Sequence, residues 1–180
     1  MFVSLLRYSV DGAVYPAQLL NRAALEAWIV MSIDDAAPMP QVITSLGSVA
    51  GGVAISLDTF EGKPSLSASA VGNVAHLEYN GLSGLTLIRV CWKWGDKLTV
   101  QASGATAMVS LATVPNFTTA SADEEKGFVV GGQAGDTAAS YFTGSLGELI
   151  FFDQLLPDAE AQSFDDYMSK KWNVASVFSQ

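Results

Sequence analysis

Ten short runs rich in Val, Ile, Leu, Phe and Trp follow one another between Leu25 and Phe152, and no helical period interrupts them. They occupy 25–33, 41–46, 53–57, 65–69, 75–79, 85–94, 97–102, 105–111, 128–131 and 145–152. Turn chemistry separates them. Asp34-Asp35 with Pro38 and Pro40, Glu61-Gly62-Lys63-Pro64, Asn80-Gly81 and Gly95-Asp96 supply the positive or fixed φ that reversals require. Strands in close succession pair with their neighbours, so the pattern predicts an all-β, two-sheet antiparallel sandwich.

Two of the runs show how the layers are arranged. LEAWIVMSI, from Leu25, is apolar at almost every position after Glu26, as expected of a strand covered on both faces or by a neighbouring molecule. In the 85–94 run, Thr86, Ile88, Val90, Trp92 and Trp94 alternate with Leu85, Leu87, Arg89, Cys91 and Lys93. The first row is the better core face. Arg89 and Lys93 then mark a polar surface, as solvated or edge-protecting charges or as contacts for an acidic partner. The run from Ser145 puts Glu148 on one face with Leu146, Ile150 and Phe152; a carboxylate buried there must be hydrogen-bonded, paired or protonated.

A single amphipathic helix closes the chain. It starts near Pro157, with Asp158 and Glu160 at its positive end and Lys170 and Lys171 at its negative end. Ala161, Phe164, Tyr167 or Met168, and Trp172 form a stripe for packing on a sheet, leaving Gln162, Asp165, Asp166 and Ser169 toward water.

At 180 residues the chain suits one domain, in which a sandwich can bury ~70% of the surface the unfolded chain exposes. The single Cys91 forms no internal disulfide, and its setting in LTLIRVCW predicts core filling rather than nucleophilic chemistry, since the only histidine, His76, belongs to another strand. Acidic groups outnumber basic ones 18 to 9, a net charge of −9 that opposes phosphate backbones and anionic lipid surfaces. Nucleic acid and membrane are therefore excluded as expected partners. The opening MFVSLLRYSVDG is too short and too interrupted by Arg7 and Asp11 for a secretory h-region, and no run reaches the ~18 apolar residues of a membrane span.

Two segments resemble the concanavalin A-like lectin/glucanase superfamily, specifically its laminin-G-like jelly roll. The first, LIRVCWKWGDKLTVQASG from Leu87, carries Trp94, Gly95, Asp96, Leu98, Val100 and Gly104 in the matching places. The second runs from Gly127 to Trp172, where Gly131-Gly132, Phe142, Gly144, Leu146, Glu148, Leu155, Glu160, Tyr167, Lys171 and Trp172 match the final strands and closing helix. The resemblance implies a jelly roll over 21–180. Residues 1–20, with Phe2, Val3, Leu5, Leu6 and Tyr8, form an N-terminal segment suited to an interface or an added strand.

Departures from that family shape the functional expectation. Its glucanases carry alternating carboxylates on one strand, ~5 Å apart in retaining enzymes, and no Glu-x-Asp-x-x-Glu occurs here. Asp123, Glu124 and Glu125 are consecutive, and Asp165-Asp166 belong to the helix. The chain is therefore expected not to be an enzyme and to need no cofactor. Calcium is the one cation that the resemblance admits, on rim acids Asp58, Asp96, Asp123 and Asp136 if these are more than isolated turn acids. The long, small-residue-rich loops 115–126 and 133–141 are the expected contact surface, with Tyr141, Asp136 and Asp123 as ligand-binding residues; Tyr141 either stacks on a sugar ring or packs under its loop. The expected role is a non-enzymatic module of a phage virion, a capsid decoration or tail or head-fibre adhesion protein. It would dock on a coat or tail protein or self-associate, and bind a host-surface glycan. The alternative is an extracellular, secreted carbohydrate-binding module once joined to a hydrolase.

Overall fold

In a computed structural model, the structure describes residues 4–5, 22–33, 39–46, 52–78, 84–105, 109–111, 114, 128–132 and 141–178. The strands are β1 (Ser4–Leu5), β2 (Ala24–Ile33), β3 (Gln41–Leu46), β4 (Val53–Phe60), β5 (Lys63–Ala70), β6 (Asn73–Glu78), β7 (Thr86–Lys93), β8 (Leu98–Ala102), β9 (Val109–Leu111), β10 (Phe128–Val130) and β11 (Gly144–Phe152). One helix, α1 (Asp158–Trp172), follows them. A six-stranded sheet has the order β1-β11-β2-β7-β8-β9, and a five-stranded sheet the order β10-β3-β4-β5-β6. Among the described strands every pairing is antiparallel except that of β1, which adds in parallel to β11 with Ser4 opposite Glu148. The protein is thus an all-β, two-sheet sandwich with a C-terminal helix.

Alternation fills the space between the sheets. Leu25, Ala27, Ile29 and Met31 of β2 and Ile88, Val90 and Trp92 of β7 meet Ile55 and Leu57 of β4, Leu66 and Ala68 of β5, and Leu77 of β6. Trp92 also donates its indole N–H to the Ser69 carbonyl at 3.1 Å, a polar tie between the sheets. The hairpin between β4 and β5 turns through Glu61 and Gly62, φ +51° and +78°, which suits the right-handed twist of the flanking strands.

The outer face of the six-stranded sheet is covered too. Trp28, Val30, Leu87 and Ile150 pack against Ala161, Met168 and Val177, with Phe164, Trp172 and Phe178 around them. β2 is therefore buried on both faces, as its near-continuous apolar run requires. This layer corrects the expected polar surface around Arg89. That side chain is buried, and its guanidinium donates to Glu26 through Nε at 2.9 Å and Nη2 at 3.3 Å. Its carbon lies 5.3 Å from the Trp28 ring and 5.1 Å from that of Phe178. Burial works against the charge, but the hydrogen bond from Arg89 to Glu26 and the surrounding carboxylates outweigh it, leaving the guanidinium pKa above its usual value. Lys93 does lie at the surface, 2.8 Å from Asp96.

Glu148 is buried as a clasp. It accepts from the Lys171 ammonium at 3.0 and 2.9 Å and from the Trp172 indole N–H at 2.7 Å, fixing the end of α1 to β11. A register shift between Leu146 and Glu148 corrects the expected alternation: Leu146 packs in the inter-sheet core, while Glu148, Ile150 and Phe152 face the helix. Gly147, at that shift, lies under the Trp172 ring.

A second helix residue differs from expectation. Asp165 is fully buried rather than facing water, and its Oδ1 accepts the Val177 N–H at 2.9 Å. It thereby holds the segment after the helix against the sheet. Met168 is the buried member of the stripe, and Tyr167 stays exposed. The helix ends at Asn173 in the left-handed conformation, whose N–H bonds the Ser169 carbonyl.

Candidate functional site

With one sheet covered by α1 and the tail, the other keeps an outer face over which, among the described residues, no helix packs. Period-two alternation builds that face. In β4, β5 and β6 the inward positions are Val53, Ile55, Leu57, Leu66, Ala68, Ala70, Ala75 and Leu77, so the outward ones are Ala54, Ser56, Asp58, Phe60, Lys63, Ser65, Ser67, Ser69, Val74, His76 and Glu78. The side chains of this face are mostly small, with Ser65 and Ser67 buried and Ser56 and Ser69 half-buried. Phe60, Val74 and Tyr141 are three of the five large hydrophobic residues exposed among the described residues, and all three lie on or beside it.

Cross-strand register places Tyr141 and His76 at the two ends of one row. Tyr141 bridges Val42 on β3, Val42 pairs with Ser56, Ser56 with Ser67, and Ser67 with His76. Four inter-strand steps of ~4.8 Å put the end backbones ~19 Å apart. Tyr141 is 73% exposed, and its backbone neighbours are fixed: Phe142 N–H donates to the Gly131 carbonyl at 3.2 Å, and Thr143 N–H to Gln41 Oε1 at 2.7 Å. A Cβ built on Gly132 would lie 3.6 Å from the Tyr141 ring and 3.7 Å from Val129, so the ring extends from this edge of the sheet.

At the opposite end, His76 stacks on Phe60 with ring centroids 4.1 Å apart and planes 10° from parallel. Ser67 Oγ lies 2.8 Å from His76 Nδ1 and fixes the imidazole plane. The result is a two-ring ledge. Beside it Lys63 donates to Glu78 at 2.8 Å, a bond that raises the lysine pKa above its usual value. Asp58 Oδ1 accepts the Thr59 N–H at 2.7 Å. The row itself carries no carboxylate or ammonium.

Of the expected site residues, the structure brings only Tyr141 and Asp58 to this face. Asp96 lies in the turn between β7 and β8 of the other sheet, where the hydrogen bond from Lys93 lowers its pKa below the usual carboxylate value. Asp58 is a strand residue rather than a turn acid. Asp123 and Asp136 fall outside the described residues, as do loop 115–126 and the 133–140 part of the second loop. Among the described residues, no group of three or more His, Cys, Asp or Glu side chains is placed to hold a metal ion. Phe60 and His76 were not anticipated as site residues. Their signal was Phe60 next to Glu61-Gly62: a hairpin there reverses the chain and returns it along the same face.

The buried carboxylates are occupied elsewhere. Glu26 accepts from Trp28 Nε1 at 2.6 Å and from the Leu156 N–H at 2.9 Å as well as from Arg89. Cys91 is a buried free thiol on the same side of that sheet, its pKa pushed up to about 12, mainly by burial and then by the Glu26 charge. No helix among the described residues is long and apolar enough to cross a membrane. No protein-family model matches the chain, and no curated protein matches it.

Proposed function

We propose that the protein is a non-enzymatic, laminin-G-like jelly-roll module that binds a surface glycan through the open face of its five-stranded sheet. We propose further that a phage particle presents it, as a capsid decoration or tail or head-fibre adhesion protein. The observation that carries the glycan reading is the 73% exposed Tyr141, held on a fixed backbone at the edge of this sheet. A pyranose has an apolar C–H face, which matches an exposed aromatic ring. The net charge of −9 favours an uncharged ligand over an acidic one.

A non-enzymatic role is supported by how the described acids are used. Glu26 and Glu148 are taken up by packing interactions, while Asp58 and Glu78, on the open face, are bound to the Thr59 N–H and to Lys63. Glycan-array binding by the wild-type protein, lost in Tyr141→Ala at unchanged melting temperature, is the expected result. Saturable binding to purified capsids with no signal on any glycan would instead leave decoration alone. Sugar release from β-glucans would overturn the non-enzymatic assignment.

A further inference from the structure

We infer that the site reads an extended, uncharged polysaccharide chain rather than a terminal sugar, held between Tyr141 at one end and the Phe60–His76 ledge at the other. This rests on the glycan-binding reading above. The register row joins the two anchors across four strands, ~19 Å from end to end, a span that a single sugar cannot reach. Between them lie Val42, Ser56 and the buried Ser67, whose small side chains leave the floor low enough for a chain to cross. Larger side chains there would divide the face into separate pockets.

Charge selects the occupant. The row is neutral, Lys63 is paired with Glu78, and the whole chain carries −9, so a polyuronate or sulfated glycan meets repulsion and no free cation within the row. A second copy of this chain is disfavoured by the same like charge. A neutral polymer of pyranose rings answers the aromatic ends, with the half-buried Ser56 between them. The Phe60–His76 stack suits it further, because the Ser67 contact and the stacking hold the 45% exposed Phe60 ring in place, so that its free surface is offered at little entropic cost.

The test is calorimetric titration of the full chain with glucose and N-acetylglucosamine, their disaccharides, progressively longer linear β-linked oligomers of each, and an oligouronate of matching length. Affinity is expected to climb with length until both anchors are engaged, by roughly tenfold or more over the disaccharide. Phe60→Ala should cancel that gain, with His76→Ala as a second variant and melting temperatures confirming that both fold. Affinity independent of length, or insensitive to Phe60 and His76, overturns this inference and leaves the glycan reading standing. Preference for the oligouronate overturns the charge argument. No heat with any sugar, at any length, overturns both.

Discussion

Arg89 and Glu26 form a buried, bidentate ion pair in which the guanidinium also lies against the neighbouring rings of Trp28 and Phe178. The pair links β2 and β7 to the connection between β11 and α1, because the same carboxylate accepts the Leu156 N–H. Arg89→Met leaves a buried carboxylate short of its main partner and should cost about 3–5 kcal/mol in urea unfolding. The double variant Glu26→Leu with Arg89→Met removes both charges and should recover much of that loss. A double variant no more stable than Arg89→Met would show that the charges themselves hold this layer.

Gly147 is required by the ring above it. A Cβ there would approach two Trp172 ring carbons at 2.9 Å, closer than such atoms pack. Gly147→Ala should therefore destabilise by about 1–3 kcal/mol through overpacking. In a Trp172→Ala background the same change should cost well under half as much, a coupling measurable by a double-mutant cycle.

Asp165 ties the tail to the helix through the Val177 N–H. Asp165→Ala should cost about 1–3 kcal/mol by leaving that donor without its acceptor. The loss should be local. Amide hydrogen exchange at Val177 and proteolysis after the helix should accelerate while exchange in the five-stranded sheet stays slow.

Alkaline pH should weaken the fold for two reasons of the same sign. The Cys91 thiol would ionise near 9.0 once unfolded but stays neutral in the folded protein up to about 12, so stability falls as pH rises across that interval. Lys171, raised by its hydrogen bond to Glu148, contributes stability below the unfolded lysine value of about 10.4, and this is lost as pH rises through its higher folded value. Cys91→Val should flatten the first part of the decline in a pH series of urea melts. The native thiol should also resist maleimide at pH 8 and react fully in urea; rapid native labelling would contradict its burial.

The strands were legible because alternation and turn residues agree along the chain, as at Glu61-Gly62 and Gly95-Asp96. The second layer was legible only in part. The apolar run of β2 announced cover on both faces, yet Arg89 was assigned to a polar surface because a charge in an alternating row ordinarily marks solvent. Glu26, an acid inside that same apolar run, was the hint of a buried partner. Asp165 stands four residues after Ala161 and three before Met168, on the buried stripe, where only the tail's N–H explains an acid. Gly147 signalled the shift that turns Leu146 into the core. Tyr141 could be named from its loop, whereas the Phe60–His76 stack depends on the pairing of three strands, of which the sequence marks only the Glu61-Gly62 reversal beside Phe60.

The central claim is that ligand engages the open face of the five-stranded sheet. An NMR titration of the labelled protein with a long, neutral β-linked oligosaccharide locates the contact directly. The account predicts shifts confined to Tyr141, Val42, Ser56, Ser67, His76 and Phe60, saturating together. Shifts on α1 and the tail around Phe178, or none at all, would contradict it.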